Sequence, residues 1–201
     1  MNYYKDLVTK KSFGVLQQLK HKCQFILIGG WAVFLYTHSL KSKDIDVVIE
    51  HSELEKLRKS ADLVKNDRLK KYEIVIGEVD IDIYVPFYSN PGLPAEEIKK
   101  YTQQLEGFLL PRPEILLILK QRAYLERLGT PKAEKDKIDI ISLLKNVELD
   151  FDFYKEILKR YNLKNYLSDL KNLLQTTTQV PELGLNQFQY SRLKKKVLGW
   201  K

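Results

Sequence analysis

The spacing of apolar residues changes near position 113, and this change constrains the fold more than any other feature of the sequence. Before it, short apolar runs typical of strands cover residues 25–28, 45–49, 72–76 and 79–85, with a charged helical pattern over residues 52–65. After it, apolar residues recur at helical spacing, and Pro113 and Pro131 stand where helices would begin. We therefore predict an α/β (α+β) chain with a small mixed sheet in residues 1–110 and an all-helical region in residues 111–201.

The composition excludes several classes of protein. With 44% hydrophobic and 30% charged residues, the chain is neither disordered nor fibrous. Its apolar runs are shorter than the roughly 18 to 20 residues of a membrane span, and residues 1–6 lack an apolar signal stretch. The single cysteine, Cys23, cannot form an internal disulfide and has no neighbour at zinc-ligand spacing. We expect a cytoplasmic protein that has no contact with a membrane.

The charge balance is basic, and the excess is concentrated at the end of the chain. There are 34 Lys and Arg residues against 26 Asp and Glu residues, a formal net charge of +8. Residues 191–201 include Arg192, Lys194, Lys195 and Lys196 on a short helical pattern. Such a run can contact an RNA backbone, although the same excess can serve only to keep a protein soluble.

A double glycine, Gly29 and Gly30, follows the first apolar run and precedes a helical pattern. Glycine allows a positive φ at such a turn, and the amides that begin the helix can bind a phosphate. Taken alone, the pair indicates no more than a tight turn. Trp31 and Ala32 follow where a P-loop would have lysine and then serine or threonine, which excludes a P-loop.

Two pairs of aspartates at strand spacing carry the strongest chemical signal. Asp44 and Asp46 are separated by one residue, so both side chains lie on one face of a strand. Carboxylates this close need a cation, either Mg²⁺ or lysines such as Lys41 and Lys43.

The second pair, Asp80 and Asp82, repeats this spacing in the run over residues 79–85. If this strand neighbours the Asp44 strand, a third carboxylate reaches the same site. Three carboxylates can hold two ions roughly 3.5 to 4 Å apart.

These motifs, taken in order, resemble the nucleotidyltransferase superfamily typified by DNA polymerase beta. Residues 28–32 and 42–46 are most similar to AbiEii-like toxins and small antibiotic nucleotidyltransferases. The resemblance covers about residues 25–145, because a helix lysine, Lys120, precedes a Lys-Asp-X-X-Asp pattern formed by Lys135, Asp136 and Asp139. Leu40 departs from the arginine that members often have two positions before the Ser42 position.

The resemblance implies a role for each matching residue. Asp44 and Asp46 would bind metal, and Asp82, chosen over Asp80, would bind it and act as base. The ions would be two Mg²⁺, or Mn²⁺ in their place. Gly29, Gly30 and Ser42 would hold phosphates, and Lys120 would approach the triphosphate. The alternatives are a solvated Lys120 and a simple i,i+4 ion pair between Lys135 and Asp139.

The implied protein is an enzyme that moves a nucleoside monophosphate from a nucleoside triphosphate to a hydroxyl, with release of pyrophosphate. The acceptor would be the end of a tRNA or another RNA, a protein side chain or a small compound. The helical region would complete the cleft of the nucleotidyltransferase core, and the protein would be the toxin of a toxin–antitoxin pair with an antitoxin partner. The alternative is a non-catalytic module of the same fold that binds a partner or nucleic acid.

Overall fold

The computed structural model describes residues 6–59 and 61–199. This part of the chain does not include residues 1–5, Ser60, Trp200 and Lys201. The start of the amino-terminal stretch and the last two residues of the basic tail therefore lie outside the described residues. The chain forms two compact units, Met1–Arg112 and Pro113–Lys201. None of the helices in residues 6–59 and 61–199 is long and apolar enough to cross a membrane.

In the described residues of the first unit, seven strands form one mixed sheet in the order β3-β4-β5-β2-β1-β7-β6. The β2–β5 and β1–β7 pairs are parallel, and the other pairs are antiparallel. The mixed sheet followed by a helical half confirms the predicted fold class. The strands are β1 Ile26–Ile28, β2 Ile45–Val48, β3 Val64–Asn66, β4 Lys71–Ile76, β5 Val79–Tyr84, β6 Thr102–Leu105 and β7 Phe108–Pro111.

The helices of this unit are α1 Asp6–Lys22, α2 Gly29–Thr37, α3 His51–Arg58 and α4 Ala95–Ile98, and a 3-10 turn, Lys99–Tyr101, follows α4. Trp31 of α2 is 2% exposed and donates a hydrogen bond from Nε1 to Oγ of Ser12 on α1 at 2.9 Å. This satisfies the indole N–H in the core. Cys23 is buried after the end of α1, and burial raises the pKa of its thiol to about 11.

The charged stretch over residues 52–65 does not form one helix. Helix α3 ends at Arg58, and residues Val64–Asn66 form the edge strand β3, which pairs with β4. The side chain of Asn66 accepts a hydrogen bond from the Leu69 amide and donates one to Glu73. These bonds favour a hairpin over the helix that the local composition predicts.

The second unit is helical, as predicted. Its helices are α5 Pro113–Glu126, α6 Pro131–Asn146, α7 Phe151–Arg160, α8 Tyr166–Thr176 and α9 Gln187–Leu198, with a 3-10 turn at Pro181–Leu183. Helices α5 and α6 both begin at proline, where the missing N–H has no cost. Thr130 caps α6 by accepting a hydrogen bond from the Ala133 amide.

Helices α5 and α6, with Arg127 just after α5, share a group of charges that is buried except for Arg127. We call Lys120, Arg127, Lys135, Asp136 and Asp139 the α5–α6 ion cluster. Lys120 Nζ lies 2.7 Å from Asp139 and 3.0 Å from Asp136. Lys135 lies 3.2 Å from Asp139, and Arg127 lies 3.1 Å from Asp136. Lys120 is 6% exposed, so it is not a solvated surface lysine, whereas the predicted ion pair between Lys135 and Asp139 is confirmed.

The ionised form of Asp139 depends on this cluster. Burial alone would raise the pKa of Asp139, but the charges of Lys120 and then Lys135 outweigh burial and hold the pKa below its ordinary value. The pKa of Asp139 is therefore lower in the folded protein than in the unfolded chain, so its ionised form stabilises the fold at any pH above the unfolded pKa. This stability is lost as the pH falls through the pKa of the folded protein.

We expect Asp139→Asn to lower the free energy of unfolding by about 3 to 5 kcal/mol, because Lys120 and Lys135 would be left buried with less counter-charge. Urea denaturation at pH 7 measures the change. Asp152→Asn is the matched control, since the Asp152 side chain is 93% exposed in its ion pair with Lys155 and should cost at most about 1 kcal/mol. The effect of Asp139→Asn should shrink in acid. Equal losses for the two variants would contradict a stabilising role of the cluster.

Candidate active site

Three acidic residues lie in one row across neighbouring strands of the sheet. Asp46 of β2 pairs directly with Asp82 of β5, and Asp82 pairs directly with Glu73 of β4. Directly paired residues point to the same face of a sheet. We call Asp46, Asp82 and Glu73 the acidic row. On the opposite face of β2 and β5, the side chains of Ile45, Val47, Ile81 and Ile83 are fully buried.

Asp44 lies in the bend just before β2, two residues before Asp46. Its negative charge is close enough to act on Asp82. Burial is the main cause that raises the pKa of Asp82, and the charges of Glu73 and Asp44 add to it. A hydrogen bond from Lys71 opposes them, but the pKa of Asp82 stays above its ordinary value. A carboxyl of this kind takes up a proton more readily than a solvated one.

Gly29 is required where β1 meets α2. Its φ is +67°, a conformation that residues with a Cβ rarely adopt, and an added Cβ would lie 2.0 Å from Oδ2 of Asp46. Gly29 and Gly30 are the first two residues of α2, and the side chain of Ile28, which precedes them, makes no capping hydrogen bond. The amides that begin α2 are therefore next to the carboxylate of Asp46, and their partial positive charge favours an anion.

Ser42 and Asp80 are the remaining predicted residues of the first unit. Ser42 is buried at 5% exposure in the segment that precedes β2. Asp80 pairs with Val75 and is exposed. Of the two aspartates of β5, Asp82 is the one that the sheet register places beside Asp46.

Lys71 and Glu73 are residues of this face that our reading of the sequence missed. Lys71 Nζ lies 2.6 Å from Oδ2 of Asp82 and 3.0 Å from Oε1 of Glu73, with its side chain 10% exposed. Burial alone would lower the pKa of Lys71, but its bonds to Asp82 and Glu73 raise it, so the lysine is charged. The hydrogen bond with Lys71 is the main cause that lowers the pKa of Glu73.

The signal for these residues is in the turn between β4 and β5. Only Gly77 and Glu78 separate Ile76 from Val79, so the two strands form a two-residue hairpin. Such a turn fixes the register. Counting back from it places Glu73 opposite Asp82.

Lys120, Lys135, Asp136 and Asp139 belong to the second unit, where they form most of the α5–α6 ion cluster. Their contacts there account for their burial without a ligand. A contact between Lys120 and a triphosphate stays a prediction.

The donor atoms of this face determine how it fits a divalent cation. Asp44 and Asp46 offer the carboxylate oxygens that Mg²⁺ prefers, and the missing Cβ of Gly29 lets the Asp46 carboxylate approach the start of α2. The described residues contain no group of three or more His, Cys, Asp or Glu side chains that could hold a metal ion by itself. Asp44 and Asp46 have the donor atoms to hold an ion together with substrate oxygens. An ion that shared Asp82 would lie beside the ammonium of Lys71.

Comparisons with known proteins agree on the fold. No protein-family model matches the chain, and no curated protein matches its sequence. A candidate nucleotidyltransferase from H. pylori superposes with a TM-score of 0.52 at 14% identity, over 98% of this chain and 99% of that chain. The solution structure of the antibiotic-resistance factor ANT(2'')-Ia superposes with a TM-score of 0.52 at 13% identity, over 84% of this chain and 96% of that chain.

A crystal structure of ANT(2'')-Ia in complex with adenylyl-2''-tobramycin gives a TM-score of 0.52 at 11% identity, over 80% of this chain and 99% of that chain. At these identities the likeness concerns the fold alone. The chain thus has the nucleotidyltransferase fold.

We expect Gly29→Ala to displace the carboxylate of Asp46 as well as to strain the backbone. Gly77→Ala is the matched control, because Gly77 has a φ of +62° with nothing within 4 Å of an added Cβ. Both variants should lose about 1 to 2 kcal/mol from the left-handed backbone, and Gly29→Ala should lose more in thermal or urea unfolding. Equal losses would mean that Asp46 moves aside at no cost.

Proposed function

We propose that the protein is a metal-dependent nucleotidyltransferase that transfers a nucleoside monophosphate from a nucleoside triphosphate to a hydroxyl acceptor. The single observation that carries the proposal is the placement of Asp46. Its carboxylate lies against Gly29 at the start of α2 and pairs across the sheet with Asp82. One carboxylate thus stands between a helix start suited to phosphates and a second acidic side chain suited to an acceptor.

In this proposal, different residues of this face bind the ion and the phosphates and accept the proton. Asp44 and Asp46 would hold a divalent ion, Mg²⁺ or Mn²⁺. The amides of Gly29 and Gly30, with the hydroxyl of Ser42, would bind the β and γ phosphates. When bound, the ion neutralises negative charge on the transferring phosphoryl group.

Asp82 would act on the acceptor. Its raised pKa suits a carboxylate that takes the proton of a hydroxyl as the hydroxyl oxygen attacks the α-phosphorus. The bond between the α-phosphorus and the bridging oxygen breaks, and the leaving group is pyrophosphate. Lys71, which also pairs with Glu73, holds Asp82 in place from the neighbouring strand.

We propose an AbiEii-like toxin with an antitoxin partner as one form of this enzyme, on the resemblance of residues 28–32 and 42–46. A small hydroxylated compound is another acceptor to test, since one structural neighbour is bound to adenylyl-2''-tobramycin. The alternative is a non-catalytic module that binds a triphosphate or a partner without transfer.

The test uses Asp44→Asn and Asp46→Asn, with Asp62→Asn as the control because Asp62 is an exposed carboxylate of the same unit. Each protein is incubated with α-labelled triphosphates, Mg²⁺ and separate pools of RNA, protein and small compounds. Transfer by the first two variants should fall at least about 100-fold, because losing a metal ligand removes several kcal/mol of stabilisation. The control should retain activity.

Thermal melts separate the enzyme from the binding module. Without ligands, Asp44→Asn and Asp46→Asn should be as stable as wild type or more stable, because repulsion within the acidic site is relieved. With Mg²⁺ and triphosphate at about 100 times Kd, wild type should gain about 2.7 kcal/mol and these variants little. A ligand-induced gain without transfer to any pool favours the binding module, and no gain at all contradicts a metal and nucleotide site.

A second candidate interaction is RNA binding by α9. Arg192, Lys195 and Lys196 are exposed, and Arg192 lies over the ring of Phe188, which is 70% exposed. Basic side chains beside an exposed aromatic ring suit a single-stranded nucleic acid. Lys194 contributes less, because its Nζ lies 3.3 Å from the carbonyl oxygens of Gln175 and Thr177.

We expect the double variant Lys195→Glu/Lys196→Glu to weaken RNA binding. It should also reduce the slope of log K against log salt by about 1.4, because each RNA phosphate that a lysine no longer neutralises accounts for about 0.7. Filter binding over a range of salt concentrations measures the slope. The control is Lys159→Glu/Lys164→Glu, which makes the same charge change at exposed positions outside α9. If both double variants change the slope equally, only net charge matters and α9 is a solvated face.

A further inference from the structure

Lys71 occupies an unusual position for a lysine. Its side chain is 10% exposed, and its ammonium contacts two members of the acidic row, Asp82 at 2.6 Å and Glu73 at 3.0 Å. Asn66 on the edge strand β3 donates a hydrogen bond to the same oxygen of Glu73 at 3.0 Å. Residues of three neighbouring strands thus hold the Lys71 ammonium between two carboxylates, so the fold itself fixes its position.

The ammonium lies between Asp82 and Glu73, at one end of the acidic row. Asp46, at the other end, lies against Gly29 and the start of α2. The two ends therefore differ in the positive charge beside them. Lys71 offsets part of the charge of Asp82 and Glu73, whereas Asp46 lies beside the helix start, where a triphosphate would bring a metal ion.

A second divalent ion on Asp82 would conflict with Lys71. Ions bound by carboxylates at about 2.0 to 2.1 Å would have to approach an oxygen that the ammonium already contacts at 2.6 Å. An ion on that oxygen would displace Lys71 from Asp82, and an ion on the other oxygen, Oδ1, would still lie close to the Lys71 ammonium. Two cations this close repel strongly in a partly buried site.

We propose that Lys71 takes the place of one of the two divalent cations expected for this fold, so that the site works with a single ion at Asp44 and Asp46. This inference rests on the proposed nucleotidyl transfer. In it, Lys71 is a positioning residue: it fixes Asp82 toward the acceptor hydroxyl and neutralises it through Oδ2. The ion and the lysine serve opposite sides of the transferred group, the triphosphate side and the acceptor side.

The test counts bound Mn²⁺ by electron paramagnetic resonance, in the presence of a non-hydrolysable nucleoside triphosphate. Wild type should bind one Mn²⁺ per chain. Lys71→Met should bind a second, because Asp82 and Glu73 lose their built-in cation. Lys71→Arg, which keeps the charge, and Lys65→Met, which removes an exposed lysine paired with Asp67 on the same sheet, should each bind one. A thermal melt of each variant verifies that it folds.

Asp82→Asn gives a second measurement that does not depend on removing Lys71. Because Asp82 does not hold the ion, this variant should keep one Mn²⁺ with an affinity within about threefold of wild type, whereas Asp46→Asn should bind none. Two Mn²⁺ on wild type, a single ion on folded Lys71→Met, or loss of the ion in Asp82→Asn would overturn the role of Lys71. No Mn²⁺ on wild type would instead overturn the proposed function itself.

Discussion

Repulsion between carboxylates on neighbouring strands is the constraint to which the rest of the first unit is fitted. Strands lie about 4.8 Å apart, and two unit charges at that distance repel by about 3 kcal/mol at an effective dielectric constant of about 20. The acidic row contains two such adjacent pairs, Asp46 with Asp82 and Asp82 with Glu73. Lys71 relieves the second pair, and the first lies beside the start of α2.

The second unit also buries charges, but it pairs them with one another. The α5–α6 ion cluster has three cations and two carboxylates, each in an ion pair with a neighbour in the cluster. Such a group can stabilise a fold without binding anything. The acidic row is different, because Lys71 pairs with Asp82 and Glu73 while Asp46, at the other end, lies against the start of α2. This contrast favours the sheet as the place of ligand chemistry.

Much of the fold follows from local pattern. The Asp-X-Asp runs predict strands with one apolar and one acidic face, and Pro113 and Pro131 mark the helix starts that the structure has. The edge strand β3 could not be predicted, because the charged helical pattern before it runs into its first residues and its pairing with β4 decides the outcome. The hairpin of β6 and β7 was also not predicted, although neither of its strands contains a charged residue.

The residues of the candidate site likewise include some that the sequence predicts and some that it does not. Asp44, Asp46 and Asp82 could be singled out because their spacing along the chain is itself the signal. Lys71 and Glu73 carry no such spacing, and only the register of the β4–β5 turn brings them to Asp82. For Asp44 and Asp46, the sequence offers Lys41 and Lys43, which are close along the chain, as alternative counter-charges. The lysine that contacts Asp82 is close only through strand pairing.

The buried cysteine has a practical consequence for studying this chemistry. Cys23 is the single cysteine of the chain, and its thiol has a pKa of about 11 because it is buried. Only the thiolate reacts with alkylating reagents, so Cys23 should remain unmodified near neutral pH. A cysteine introduced at an exposed position such as Phe87 would then be the one reactive thiol. A single spin label or fluorophore could thus be attached to the native background, with no need to remove Cys23 from the core.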